Sequence, residues 1–476
     1  MSEVASSTNG ITFAEFASWT GAKCEGPLPE SFSRVTFDSR LVAPGCLYMA
    51  FPGATRDGHE FVAQALEKGA AAALVRNDWR GARPGMPLVR VDDPRAAMTL
   101  AARAWRRSLR ATVIGVTGSA GKTTVKELTA AFLRAGGHRV HATEGNYNND
   151  LGVPVTLLCA PRDSEFLVVE MGSNHPGEIQ QLVDIALPDA GVISSIGTAH
   201  IEFFKTQDGI AREKGALLAG LGRCGSAHVE PFAVLAKENA RYEKLSAMSA
   251  GRVVTTSLDE PCAARFAEAL KVRLPGRHNV LNALLAAACA AQFGVSEETC
   301  LAALAHVRLP GGRWRVVEQG GVTWVDDTYN ANPTAMVAAL ETFAQIPCEG
   351  RRIAVLGDMF ELGEKEAFYH SQVGARAKEL QIDELVFVGE RACGPMADGY
   401  GAKCVRAASL DEARTALDEI VRPGDMVLLK ASNSMHLGRL VPMISATPEE
   451  KAEPENKAPA EPRADVRQQA VRAQAR

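Results

Sequence analysis

Nothing in the 476-residue chain approaches the ~20 consecutive apolar residues that a membrane-crossing helix needs, so no membrane insertion is expected. The first residues, Met1-Ser2-Glu3-Val4-Ala5-Ser6-Ser7, have neither a basic start nor an apolar core, and so do not read as a secretory signal. A dominant charge sign is also missing. Lys and Arg number 52 against 56 Asp and Glu, a net charge of −4, which gives no bulk attraction to nucleic acid or anionic lipid. The ten cysteines (24, 46, 159, 224, 262, 289, 300, 348, 393 and 404) include no pair at metal-ligand spacing. They read as reduced packing residues of a cytoplasmic protein. The length exceeds what one hydrophobic core organises, and two to four domains are expected.

The stretch that organises the chain is Gly115-Val116-Thr117-Gly118-Ser119-Ala120-Gly121-Lys122-Thr123-Thr124. It follows the β-branched run Thr112-Val113-Ile114 and opens into Val125–Leu133, whose apolar spacing suits a helix. Strand, glycine loop, Gly-Lys-Thr and helix together make a phosphate cradle. Backbone N–H groups approach phosphate oxygens there, and Lys122 supplies a point charge while the Thr123 hydroxyl can ligate Mg²⁺. The strict pattern places glycine five residues before Gly121, where this chain has Val116, so the cradle is a variant with glycines at 115, 118 and 121. ATP or GTP binding is expected.

Three blocks and a tail follow from the order of signals. Residues 1–108 alternate short strand and helix patterns, with a helix over Glu60–Lys68 and a strand over Ala70–Val75, and form a small α/β domain. Asp38-Ser39-Arg40 lies there at a strand-to-turn boundary, where such triplets usually serve turns. Residues 109–316 form a central parallel-sheet domain around the cradle. Its strand Phe166–Gly172 carries Glu170 at the end where ligands sit in parallel sheets, beside the phosphate loop and able to hold Mg²⁺. Asn146, Asn148 and Asn149 make an amide-rich loop, fit for ligand oxygens or for turns. His200 ends a further strand pattern, and Lys214 lies fourteen residues on; spacing alone names neither as a site residue. Pro275-Gly276 precedes a helix of small residues that places Asn279 and Asn282 on one face, with Gly294 as its cap. Residues 317–446 repeat strand–turn–helix units and predict a doubly wound, Rossmann-like sheet without GxGxxG. Residues 447–476 carry almost no large apolar residues and read as a disordered tail.

Taken in order over residues 35–440, these segments resemble the Mur ligase family. The resemblance is carried by Asp38-Ser39-Arg40, Asp57-Gly58-His59, the cradle, Gly145–Asn149, Glu170-Met171-Gly172, Ala199-His200, Arg212–Gly215 and His278–Ala283. Its most specific parts are Asp326-Asp327-Thr328-Tyr329-Asn330-Ala331-Asn332-Pro333 and Leu356-Gly357-Asp358-Met359-Phe360-Glu361-Leu362-Gly363. Those two segments resemble the members that add a dipeptide rather than a single amino acid. The resemblance implies an α/β protein of three domains: a UDP-substrate-binding domain, an ATP-binding domain and a Rossmann-like ligase domain. It implies ATP-dependent joining of D-alanyl-D-alanine to UDP-N-acetylmuramoyl-tripeptide through an acyl phosphate, in peptidoglycan precursor synthesis, by a monomer.

Residue by residue, the resemblance assigns Gly118, Ser119, Ala120, Gly121, Lys122, Thr123 and Thr124 to the phosphates. It assigns Asn279 and Asn282 to the adenine side, and Arg313 and Asp327 to closure over the nucleotide. Thr123 and Glu170 would hold one Mg²⁺, and His200 with a carbamylated Lys214 a second. Lys122, Lys214, His200 and Asp327 are the implied catalytic set. Ser39, Arg40, Asn146, Asn148 and Asn149 would face the UDP-substrate. Two positions depart from the pattern: Ala236 stands where an amide is usual, and Asn433 follows Lys430-Ala431-Ser432 where arginine is usual. A sister ligase with another amine donor, or a nucleotide-binding module without catalysis, are the competing readings. The donor that accelerates phosphate release separates them.

Overall fold

The computed structural model describes residues 10–53, 56–224 and 229–441; the tail expected over 447–476 lies outside them. Three sheets follow one another along the chain. A short ribbon pairs β1 (Ile11–Thr12) with β3 (Ser31–Phe32). The first sheet has the order β2 (Lys23–Glu25), β7 (Leu88–Val91), β6 (Ala72–Arg76), β5 (Leu47–Met49), β4 (Val35–Thr36), parallel except for β2. Where a helix is expected from Glu60, a 3₁₀ turn over Gly58–Phe61 precedes the helix Val62–Glu67. The Asp57 carboxylate accepts from the His59 N–H and tightens that first turn.

The central sheet is wholly parallel, in the order β13 (Arg252–Thr256), β12 (Phe232–Ala236), β11 (Ala190–Ile193), β8 (Thr112–Thr117), β10 (Phe166–Glu170), β9 (Val140–Ala142). Its four inner strands, β12, β11, β8 and β10, are buried on both faces, which is why they read as unbroken apolar runs. Ile114 and Val116 of β8 pack with Val125, Leu128 and Phe132 of the helix Lys122–Ala135, and with Ala283 and Ala286 of the helix Arg277–Ala291. Val113 points the other way, into a core shared with Trp105, Ala101 and Met98 of the helix Pro94–Ser108. The first sheet therefore docks on one face of the second through a common core.

The third sheet has the order β14 (Arg315–Gln319), β15 (Val322–Asp326), β19 (Met426–Lys430), β16 (Arg352–Gly357), β17 (Glu384–Val388), β18 (Val405–Ala407). Helices cover both faces: Ala354 and Leu356 pack with Met336, Leu340 and Val373, whereas Ile353 and Val355 pack with Ala413 and Leu417. The sheet is doubly wound as expected, with one addition. β14 runs antiparallel to β15 through the two-residue turn Gly320-Gly321, both at positive φ (64° and 74°). That left-handed pair suits a tight hairpin, so the third sheet begins at Arg315 rather than with a parallel strand. Among the described residues no helix is long and apolar enough to cross a membrane.

The dock between the first two sheets contains a buried ion pair. Arg106 donates to the Asp189 carboxylate at 2.7 Å, and to the carbonyls of Ala186 and Leu187 at 3.0 Å each. Both side chains are almost wholly buried. Removing one partner strands a charge in the interior. Arg106→Ala is expected to cost about 3–5 kcal/mol, read as a fall in the midpoint of the earliest urea-unfolding transition.

Candidate active site

The cradle occupies the C-terminal end of β8. Gly118 (φ 151°) and Gly121 (φ 80°) give the loop its path, and the helix Lys122–Ala135 starts directly behind it. Neither glycine tolerates a side chain: a Cβ at Gly118 would lie 2.0 Å from Ser194 Oγ, and one at Gly121 2.5 Å from Asn282 Oδ1. The loop is pinned by the segment after β11. Ser119 N–H donates to the Ser195 carbonyl at 2.9 Å, Ala120 N–H to Ser195 Oγ at 3.0 Å, and Gly197 N–H to Ser119 Oγ at 2.9 Å. Sequence reasoning missed Ser194 and Ser195, which carry no motif of their own.

Glu170 ends β10, the strand directly beside the cradle strand β8, opposite Val116. Its carboxylate is 2 % exposed. Oε1 accepts from the Asn148 amide at 2.8 Å, whereas Oε2 is buried without a hydrogen-bond partner. A buried, unpaired carboxylate oxygen beside a phosphate loop is a donor suited to a hard cation. Among the described residues no group of three or more His, Cys, Asp or Glu could hold a metal alone. A cation here would need phosphate, hydroxyl or water oxygens as well, as Mg²⁺ commonly does.

Three cations are coupled through Lys122, which also feels that carboxylate. Lys122 donates to the Gly118 carbonyl at 2.9 Å. Burial holds its pKa below the ordinary lysine value, Arg313 adds to the effect and Glu170 opposes it. Lys214, on the helix Gln207–Ala219, is 1 % exposed and donates to Ser173 Oγ at 2.7 Å. Burial, with Lys122 as the next cause, lowers its pKa to about 7. Arg313 reaches in from the linker before β14, donating to Thr123 Oγ1 at 3.1 Å with its guanidinium 3.4 Å from the centre of the Tyr329 ring.

The other expected residues fall into three groups. Asn279 and Asn282 lie buried at the start of their helix, joined by a 3.2 Å hydrogen bond, with Asn279 also donating to the Pro275 carbonyl at 2.8 Å. Asp327 ends the segment after β15, accepting from Lys430 Nζ at 2.6 Å and from the Trp314 N–H at 3.3 Å. His200, at φ 56°, hydrogen-bonds Glu361 through Nδ1. Toward the first sheet, Arg40 pairs with Asp38, and the Ser39 carbonyl accepts from Lys68 at 2.8 Å. Asn149 Oδ1 accepts from Gly152 N–H at 2.9 Å and caps the helix Gly152–Leu158, and Asn146 accepts at its carbonyl from Asn148 N–H at 2.7 Å. Tyr147, between those asparagines, stacks near Phe37 with ring centres 5.8 Å apart. Ser173 and Tyr329 were not singled out by sequence reasoning, although Tyr329 sits inside the Asp326–Pro333 segment.

A phosphate loop, a buried carboxylate, a depressed lysine and an arginine from the linker before the third sheet define a nucleotide-dependent enzyme built from three α/β domains. Three family descriptions match this chain in succession: "Mur ligase family, catalytic domain" over residues 31–106, "Mur ligase middle domain" over 116–290 and "Mur ligase, glutamate ligase domain" over 312–433. The chain belongs to the Mur ligase family. It is 36 % identical to the UDP-N-acetylmuramoyl-tripeptide--D-alanyl-D-alanine ligase of Mycobacterium leprae, over 86 % of this chain and 92 % of that one. To the enzyme of the same name from Escherichia coli it is 34 % identical, over 75 % and 81 %. Among solved structures it is similar to MurF from Acinetobacter baumannii, with TM-score 0.78 and 28 % identity over 90 % of this chain and 98 % of that one. It is also similar to MurF from Thermotoga maritima in complex with ADP, with TM-score 0.69 and 26 % identity over 86 % and 96 %.

Gly121→Ala meets both a left-handed backbone and the Asn282 amide. Its affinity for a fluorescent ATP analogue, titrated by anisotropy, is expected to fall at least about tenfold, which is about 1.4 kcal/mol.

Proposed function

We propose that this protein joins D-alanyl-D-alanine to UDP-N-acetylmuramoyl-tripeptide at the expense of ATP, giving UDP-N-acetylmuramoyl-pentapeptide, ADP and phosphate in cytoplasmic peptidoglycan precursor synthesis. The observation that carries this reading is the set of three coupled cations, Lys122 with Lys214 and Arg313, beside the phosphate loop, together with the unpaired buried oxygen of Glu170. The relatives that share most of the chain's length carry the same activity in their names.

The reaction requires two anions to meet, the tripeptide carboxylate and the γ-phosphate. The carboxylate oxygen takes the γ-phosphoryl group as the bond to ADP breaks. The amine of the dipeptide, having lost its proton, attacks the acyl carbon, and the carbon–oxygen bond breaks to release inorganic phosphate. Lys122 and the cradle N–H groups hold the β- and γ-phosphates, and Arg313 shifts from the Thr123 hydroxyl to the transferring group. These groups offset the repulsion that otherwise dominates the barrier. Thr123 and Glu170 would hold one Mg²⁺ and His200 with Lys214 a second; the ions lower the charge on the phosphates and the acyl phosphate. Asn279 and Asn282 flank the adenine side, Asp327 closes over the nucleotide, and Ser39, Arg40, Asn146, Asn148 and Asn149 face the cleft toward the UDP end. Residues 1–108, 109–316 and 317–446 form the three functional domains of a monomer.

Lys214 acts as a carbamate. Carbamate forms from a neutral amine and CO₂, and an ordinary lysine is almost wholly protonated at neutral pH. With its pKa lowered to about 7, Lys214 is about half neutral there. The folded pKa is below the unfolded one, so the reactive fraction grows as pH rises through about 7. In ¹³C-bicarbonate, the carbamate NMR signal is expected to increase from pH 6 to pH 8 and to be absent in Lys214→Ala, whose turnover falls about 10²-fold or more.

The reading as a whole is tested by measuring phosphate release with each substrate omitted. Release is expected only when both UDP-N-acetylmuramoyl-tripeptide and D-alanyl-D-alanine are present. ATP turnover indifferent to either substrate contradicts it, and acceleration by a single amino acid in place of the dipeptide assigns the protein to a sister activity.

A further inference from the structure

His200 follows β11 in the central sheet and Glu361 follows β16 in the third, yet their side chains hydrogen-bond, Glu361 Oε2 to His200 Nδ1. Both residues stand in the left-handed region, at φ 56° and φ 61°. Residues with a Cβ adopt that conformation rarely and keep it only where their surroundings hold them there. The surroundings here come from the opposite domain. Glu202 N–H donates to the Glu361 carbonyl at 3.3 Å, and Gly363, at φ 62°, brings its Cα so close that a Cβ would lie 3.4 Å from Glu202 Cα. An exposed ion pair contributes little by itself. Glu361 keeps a third of its side-chain surface exposed, so two strained residues facing each other call for a reason besides stability.

The chemistry of imidazole supplies it. A histidine that donates Nδ1–H to a carboxylate presents the Nε2 lone pair, the form that binds a metal, and the carboxylate also fixes the ring and raises its basicity. We propose that Glu361 is a positioning residue that orients His200 from across the domain boundary, so that the Nε2 ligand atom is presented only while the third domain is docked. The proposal rests on His200 being a metal ligand, as the preceding section reads it. It adds that the ligand is completed by the domain carrying Asp327 and Lys430, so docking and metal binding are one event.

The test counts Mn²⁺ by electron paramagnetic resonance in the full chain with a non-hydrolysable ATP analogue. The wild type is expected to show a tighter and a weaker site, and His200→Ala to lose the weaker. Glu361→Gln keeps the size of the side chain but removes its charge. It is expected to weaken the weaker site about 10–100-fold and leave the tighter one and the KM for ATP within about twofold, with kcat reduced. Unchanged Mn²⁺ affinity in Glu361→Gln, with the weaker site lost in His200→Ala, overturns the role of Glu361 alone. Both sites intact in His200→Ala overturns the metal reading itself. A measurement on the wild type needs no folded variant of Glu361: long-range ¹⁵N spectra are expected to show His200 protonated at Nδ1, and a proton at Nε2 instead overturns the proposal.

Discussion

Like charges forced together in a dry place constrain everything else in this molecule. Lys214 is buried and Lys122 partly so; Lys122 disfavours the charged form of Lys214, and Arg313 does the same to Lys122. Glu170, whose Oε1 accepts from Asn148, opposes this at Lys122, and Glu213 and Glu178 oppose it at Lys214. Such a centre is unfavourable in isolation and becomes favourable when phosphate arrives. The cost is sustained by the framework around it. The inner strands of the central sheet are buried on both faces, and each β-strand that ends at the site is held by neighbours on either side. Affinity for anions is thus stored as electrostatic frustration in an otherwise well-packed fold.

The segment after β11 is where the domains are joined to that centre. Ser194 and Ser195 hold the phosphate loop, Gly197 lies against Thr334 at the start of the helix Pro333–Gln345, and His200 meets Glu361. One stretch of chain therefore touches the cradle and the third domain at once. A shift of the third domain moves Arg313 at the Thr123 hydroxyl and Glu361 at His200 together, because both reach the central domain across the same boundary. The first domain is tied differently. Its core runs continuously into the central one, and the Arg106–Asp189 pair sits inside the joint.

How much of this could be read from residues alone depended on whether the signal was local. The cradle was legible because glycine, lysine and threonine at fixed offsets are a local pattern, and the helix behind it covers the expected Val125–Leu133 but starts three residues earlier, at Lys122. The inner strands of the two large sheets were legible as apolar runs, whereas the partly exposed edge strands β9, β13 and β18 were not. The hairpin β14–β15 was not, since its first strand is exposed at every residue but Val317 and its glycine pair belongs to no motif. Lys214 and His200 carried no local signal at all; resemblance to relatives brought them forward, and burial explains Lys214 only in three dimensions. Asn149 and Asn148 show the limit from the other side. Their amides looked alike in sequence, but one caps a helix and the other steadies Glu170.

The two departures from the family pattern bear on whether this site is a working one. Ala236 ends β12, two strands away from the cradle strand, and lies among core residues that contain no phosphate or metal group. Asn433 stands where arginine is usual, and its amide donates to the Tyr329 carbonyl at 2.9 Å. Tyr329 is the ring on which Arg313 rests, and the same strap is fastened at its other end by Lys430, which donates to Asp327 and to the Asn330 carbonyl at 3.0 Å. The strap that presents Arg313 is thus secured at both ends without a second arginine. A chain that had lost catalysis would have no need to keep Lys214 buried at the cost of its charge, nor Glu170 buried with an oxygen unpaired. Retention of both unfavourable features, in a fold that could relieve either with one substitution, argues that the site is still used for the chemistry those features serve.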